Sequence, residues 1–240
     1  MSLSRILGHQ SRSDPREEHW IPLSDLMTGL MMMFMLVAVI FMVQIEADAK
    51  KVRDVAVIYD AMKTQLYIDL QNEFKDDLSR WGAELDKDLT VRFKEPEVLF
   101  DTGKASLKPK FVQILDNFFP RYVRILASEK YRDSIEEIRI EGHTSTVWNG
   151  TKSGDEAYFL NMALSQSRTR SVLEYVLMLP NVQTREQWLR EHLTANGLSS
   201  SKLVRRSDGS EDRERSQRVE FRVRTNADER IAEILKTVHQ

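Results

Sequence analysis

Residues 21 to 43 read IPLSDLMTGLMMMFMLVAVIFMV, Ile21 to Val43, an apolar run interrupted by a single charge. At about 1.5 Å per helical residue the run matches the roughly 30 Å hydrocarbon core of a bilayer. The reading is one membrane-spanning helix, with everything after it a separate body in water. The charge is Asp25. A carboxylate within such a helix costs about 2.5–3.5 kcal/mol on insertion scales and marks an ion or proton pathway by default. A second reading makes Ser24 and Asp25 an interfacial N-cap, with a helix from Leu26 that still just spans. Pro22, suited to a first helical turn, and Trp20, a typical interface anchor, favour the earlier start, which puts Asp25 inside the membrane.

Working outward, Thr28, Gly29 and Met32 follow Asp25 at i+3, i+4 and i+7 and share its face. That face is small and polar where it meets the acid, so we expect it to pack on other helices rather than on lipid. Six of the ten methionines (27, 31, 32, 33, 35 and 42) fall in this segment; ordinary apolar filling accounts for them. Ala47-Asp48-Ala49 imitates a signal-peptide cleavage site, but the run is too long for a signal core and is broken by Pro22 and Asp25, so an uncleaved anchor is expected. Arg5, Arg12 and Arg16 before the span are answered by Lys50, Lys51 and Arg53 after it, and the positive-inside rule does not decide orientation.

The 240 residues carry a net charge of −2 with pI near 6.3, which gives no global field for nucleic acid. Cysteine is absent, which excludes disulfides and thiolate chemistry. The five histidines are scattered without HExxH-type spacing, so no metal site is expected. Gly103-Lys104 lacks the spacing of a phosphate loop, and no nucleophile–base pair or hydrolase signature is present. We expect a non-enzyme without a cofactor.

The organisation expected is a tail over 1–19, the span over 20–44, a helical linker over 45–85 and a domain over 86–240. In the linker Val52, Val55, Tyr59, Met62 and Leu66 recur at intervals of 3, 4, 3 and 4. This fits a parallel two-stranded coiled coil, and equally a helix packed on its own domain. Phe74, Leu78 and Trp81 carry the helical period toward Gly82. Leu89–Phe93 alternates as a strand, and Glu95-Pro96-Glu97 breaks the chain before Val98-Leu99-Phe100. Helices are expected over Pro109–Glu129, Asp155–Met178 and Thr184–Leu193, the last capped by Thr184. Strands are expected over Ile135–Glu141 and Arg218–Arg224, and a final helix from Asn226 to Val238. The run from Arg205, with acids interleaved among its arginines, reads as a solvated loop. The fold class is α+β: a membrane helix, a helical linker and an α/β sandwich with helices on one face of a mixed sheet.

Two groups of motifs carry a resemblance. Trp20 through Thr28 resembles the aspartate-bearing helix of MotB-type stator subunits, with Asp25, Met27, Thr28 and Met31 matching its D-x-M-T-x-x-M core. Val98 through Gly103, Ile140-Glu141-Gly142-His143-Thr144, the set Asn161, Leu164, Ser165, Arg168 and Val172, and Arg218-Val219-Glu220 are similar to the motifs of OmpA-like peptidoglycan-binding domains. The resemblance implies that Asp25, with Thr28, binds and releases a transported proton or sodium ion. It also implies that Thr144, Ser145, Asn161, Leu164 and Arg168 grip the diaminopimelate of the peptidoglycan stem peptide, with Arg168 on its carboxylate. Arg offers a planar fork to a carboxylate, and positions 161, 164 and 168 share one helix face. Ser145 departs from the family pattern, which has an aspartate there to meet the ligand ammonium; a neutral hydroxyl cannot balance that charge, so either affinity is weaker or Asp155, in a loop longer than the family's, substitutes. The implied partners are a second copy in a homodimer, a ring of MotA-type A subunits (five by the same resemblance), peptidoglycan and cytoplasmic effectors, with no direct nucleic-acid contact. The implied location is the bacterial inner membrane, single-pass, N-terminus cytoplasmic and C-terminal domain periplasmic. The short tail, brief connector and long 143–161 loop bring the chain nearest the stator subunits of Zorya anti-phage systems.

Overall fold

The computed structural model describes residues 20–94, 96–150 and 153–226. The tail over 1–19 and the helix expected beyond Asn226 lie outside the described residues. The chain divides into two units, Met1–Asp54 and Val55–Gln240.

Helix α1 runs over Trp20–Leu78. Its N-terminal part is long and apolar enough to cross a membrane, with a mean hydropathy of 2.6 in its most apolar window. Within the second unit the same helix changes character. Leu66, Leu70 and Phe74 are fully buried and join Leu78 and Trp81 in the core, with Met62 packed against it. The lower end of the 52–66 stripe thus packs on its own domain, one of the two alternatives the spacing left open. Val57 and Ile58, just upstream, stay exposed.

After a turn at Gly82, whose φ of +61° suits glycine, come β1 (Ala83–Leu85) and β2 (Thr90–Phe93). Next are a single turn, α2 (Pro96–Leu99), and α3 (Pro109–Leu126), which opens on proline where a missing N–H costs nothing. β3 (Ile135–His143) leads to α4 (Gly154–Leu177). A 3₁₀ turn over Pro180–Arg185 precedes α5 (Glu186–His192), then β4 (Leu193–Gly197), the single turn α6 (Arg213–Ser216) and β5 (Arg218–Thr225).

Val98 and Leu99 lie in a single helical turn opened by Pro96. Three sequence expectations change. Thr184 caps nothing: α5 begins at Glu186, and its preceding turn is already 3₁₀ with Pro180 at its head. Leu193 ends no helix and opens a strand. The 205–217 segment is not all loop, since α6 interrupts it with Asp212 capping through the Arg215 N–H at 3.1 Å.

The sheet order is β1-β2-β5-β3-β4, antiparallel except for β3 with β4. Val219, Phe221 and Val223 of β5 and Ile138 and Ile140 of β3 enter the core, while alternate residues face the other way. Phe118 is the hub of that core, with ring centroids 5.3 Å from Phe74, 5.3 Å from Phe93, 5.2 Å from Phe221 and 4.8 Å from Tyr122. Gly142 and Gly197 let α4 lie directly on β3 and β4. A Cβ on Gly142 would sit 2.7 Å from Thr169 Cγ2, and one on Gly197 2.2 Å from the Gln166 backbone nitrogen. This close approach places the α4 side chains over the end of β3.

Candidate functional site

β3 ends at His143 and the chain then turns through Thr144 and Ser145 under the first turns of α4. The Thr144 N–H donates to the Ser199 carbonyl at 2.9 Å. Ser199, at φ +51°, is itself held by its N–H on Ser165 Oγ (3.1 Å) and its hydroxyl on the Tyr158 carbonyl (3.0 Å). Ser165, read from the sequence only as part of a motif, therefore fixes the loop that carries Thr144. Asn161 is buried on α4 and donates from Nδ2 to the Val147 carbonyl at 3.2 Å, pinning the far side of the same loop.

Thr144, Ser145, Asn161, Leu164 and Arg168 line one cleft of about 390 Å³, closed by Thr102 and Gly103 on one side and Val147 to Asn149 on another. That size suits a ligand of small-molecule or short-peptide dimensions. Arg213 and Gln217 complete the wall. They lie just before the Arg218-Val219-Glu220 motif, and no pattern in the sequence points to them as part of a cleft. Asp155, the candidate substitute for the acid missing at Ser145, is exposed in the first turn of α4 and does not line the cleft.

Arg168 dominates the electrostatics. Its guanidinium donates from Nε to the Lys104 carbonyl (2.9 Å) and from Nη2 to the Asp101 carbonyl (3.1 Å), and lies over the Phe100 ring at 4.8 Å. Among the described residues no carboxylate pairs with it. Burial pulls its pKa down to about 10, so it stays charged at neutral pH while poorly solvated. A cation held that way, aimed at a cleft, is a receptor for a carboxylate or another planar anion.

The outer face of the sheet carries a second cluster that scattered histidines did not announce. Glu141, His143 and Glu220 are buried, with candidate ligand atoms within 4.8 Å of one another. The two carboxylates are already engaged by arginines. Glu220 accepts from Arg218 Nε at 2.6 Å and Arg92 Nε at 2.7 Å, Arg222 stands 3.6 Å from it, and Arg139 stands 3.6 Å from Glu141. Four guanidiniums around two carboxylates oppose a further cation, and the cluster reads as a structural ion-pair ladder joining β2, β5 and β3.

Burial pushes the Glu220 carboxyl upward, but the His143 ring and the Arg92 and Arg218 guanidiniums outweigh it and hold the group far below the usual carboxylate range. A depressed carboxyl contributes stability above its unfolded value of about 4.3, and loses it as pH falls toward the folded value. Glu220→Gln is expected to destabilise the domain by about 3 kcal/mol at pH 7, because two arginines lose a buried partner. The difference from the parent should shrink below about pH 4. Thermal melts of the detergent-solubilised chain from pH 3 to 8 check both the sign and the window.

In the other unit, Asp25 is exposed on α1 and has no hydrogen-bond or ion-pair partner among the described residues. Thr28 does not reach it: the hydroxyl donates to the Ser24 carbonyl at 2.7 Å. Asp25, Gly29 and Met33 border a shallow surface groove on one helix face.

Residues 99–220 match the model of the OmpA family. The Zorya protein ZorB of Escherichia coli is 48% identical over 236 residues, covering 98% of this chain and 100% of that protein. The crystal structure of a MotB-like protein from Desulfovibrio vulgaris is similar with a TM-score of 0.50 and 25% identity, over 69% of this chain and 96% of that one. The cell wall anchor of the T6SS from Pseudomonas aeruginosa aligns with a TM-score of 0.45 and 21% identity, over 65% and 96%.

Proposed function

This chain belongs to the OmpA family and to the family of the Zorya protein ZorB, and we propose that it is the wall-anchored B subunit of an ion-driven rotary motor acting in anti-phage defence. In this reading residues 1–19 lie in the cytoplasm, 20–44 cross the inner membrane once, 45–85 link, and 86–240 hold peptidoglycan in the periplasm. Two copies pass their helices through a ring of MotA-type A subunits. Asp25 takes up and releases a proton, or shelters a sodium ion, and each neutralisation biases rotation of the ring; no resident cofactor is needed. Cytoplasmic effectors of the same system respond to the motion.

The observation that carries the reading is Arg168, a desolvated guanidinium without a carboxylate partner, facing a cleft on a chain whose other unit holds one acid in an apolar helix. Such an arginine supports capture of a carboxylate-bearing wall peptide, and the lone acid supports ion coupling. Deletion of the gene from cells carrying the whole system, with complementation, tests it. Phage protection should be lost and motility unchanged. Loss of motility with unaltered phage sensitivity would instead identify a flagellar-type stator.

A further inference from the structure

Among the described residues the cleft has cations on its wall and no acid. Its two charged lining residues are Arg168, buried, and Arg213, exposed on α6 and without an ion pair among the described residues. Ser145, at the turn after β3, contributes only a neutral hydroxyl. Two carboxylates nearby in the fold are engaged elsewhere. Asp101, whose carbonyl accepts from Arg168, turns its side chain to Lys108 at 3.2 Å and Lys104 at 3.5 Å. Glu211 holds the 144–146 turn, one oxygen accepting from the Thr146 N–H (3.0 Å) and the other from its hydroxyl (2.6 Å).

A wall peptide that ends in a diamino acid offers this cleft a carboxylate, which suits Arg168, and an amine. A free amine is an ammonium at neutral pH, and in a half-enclosed site lined by guanidiniums it meets like charge with no counter-ion. Acylation of that amine, the covalent state of a cross-linked peptide, removes the charge. It also adds a carbonyl, for which Arg213 and Gln217 hold N–H donors.

We propose that the cleft selects diamino-acid peptides whose side-chain amine is acylated, and so grips cross-linked rather than uncross-linked wall. The proposal rests on the peptidoglycan reading above and narrows it. Arg213 becomes a specificity-determining residue, and Ser145 is the position at which an acid would reverse the choice.

The test is calorimetric titration of the full detergent-solubilised chain with two synthetic tripeptides ending in meso-diaminopimelate, one with its side-chain amine free and one with it acetylated. The acetylated peptide should bind at least 5-fold more tightly, and Ser145→Asp should invert the order. Equal affinities, or tighter binding of the free amine, overturn the proposal; if that opposite preference disappears in Glu211→Gln, Glu211 is acting as the ligand's acid. Binding of neither peptide by a chain that still sediments with purified sacculi overturns the selectivity alone. Failure to bind sacculi as well overturns the peptidoglycan reading beneath it.

Discussion

Asp25→Asn abolishes phage protection while leaving the chain inserted and assembled with its partners; this is the largest effect we expect from any single substitution. Asparagine keeps the size and hydrogen-bonding capacity of the acid and cannot cycle its charge. The work available to a coupling group is about 2.3 kcal/mol per elementary charge per 100 mV of membrane potential, and a side chain that stays neutral takes none of it. Within one chain nothing compensates: Asp25 has no partner among the described residues and the Thr28 hydroxyl is committed to Ser24. On the proposed motor reading, the groups that desolvate and reload the carboxylate come from neighbouring subunits. Plaque assays on cells expressing the complete system, with co-purification to verify assembly, decide the matter. Full protection by the mutant would eliminate ion coupling at this residue.

The second large effect is on wall binding. Truncating one member of a buried, charge-assisted pair costs about 2–5 kcal/mol, so Arg168→Ala should weaken sacculus retention by roughly 30-fold or more. An exposed ion pair is worth only about 0–1 kcal/mol, and a loss of that size would mean that ligand does not reach this guanidinium. Arg168→Lys should recover little, since an ammonium cannot reach the Lys104 and Asp101 carbonyls and present a planar fork at once. Asn161→Ala should cost less, about 1 kcal/mol, because Asn161 acts by pinning the Val147 carbonyl and its loss leaves the charge in place. Pull-down of the solubilised chain with purified sacculi, alongside thermal melts, separates lost affinity from lost fold.

Much of this fold is legible in the sequence. Periodicity located α3 and α4 to within a few residues, and alternation located β3 and β5; α3 and β5 carry strong apolar faces that meet at Phe118 and Phe221, while α4 buries a largely polar face with Asn161, Ser165 and Arg168. β4 was not legible. Its sequence, Leu-Thr-Ala-Asn-Gly, has poor strand propensity, and it holds its place through pairing with β3 and through Gly197, which lets the Gln166 backbone approach. The cleft was half legible. Motif spacing on α4 put Asn161, Leu164 and Arg168 on one face, and strand-end residues Thr144 and Ser145 arrive beside them. Arg213 and Gln217 come from a turn whose position depends on the sheet order β5-β3, which spacing along the chain does not encode. The same is true of Glu220, Arg92 and Arg218, whose meeting requires β2 and β5 to pair in register.

The burial of Leu66, Leu70, Phe74 and Leu78 has a mechanical meaning. A tether that joins a folded head through slack chain lets the head swivel and absorbs a tug by straightening. Here the stalk is planted inside the head: its last turns are gripped by the Phe118 hub and by Arg121, which reaches back to Glu73 and Asp77 at 2.7 Å. A pull or twist delivered at residue 66 reaches the sheet without passing through a hinge. To yield, it must drag aromatic rings out of a packed interior in shear. The packing of α1 into the core suits the domain to transmit load, and a pull must first break the socket around Leu66, Leu70 and Phe74.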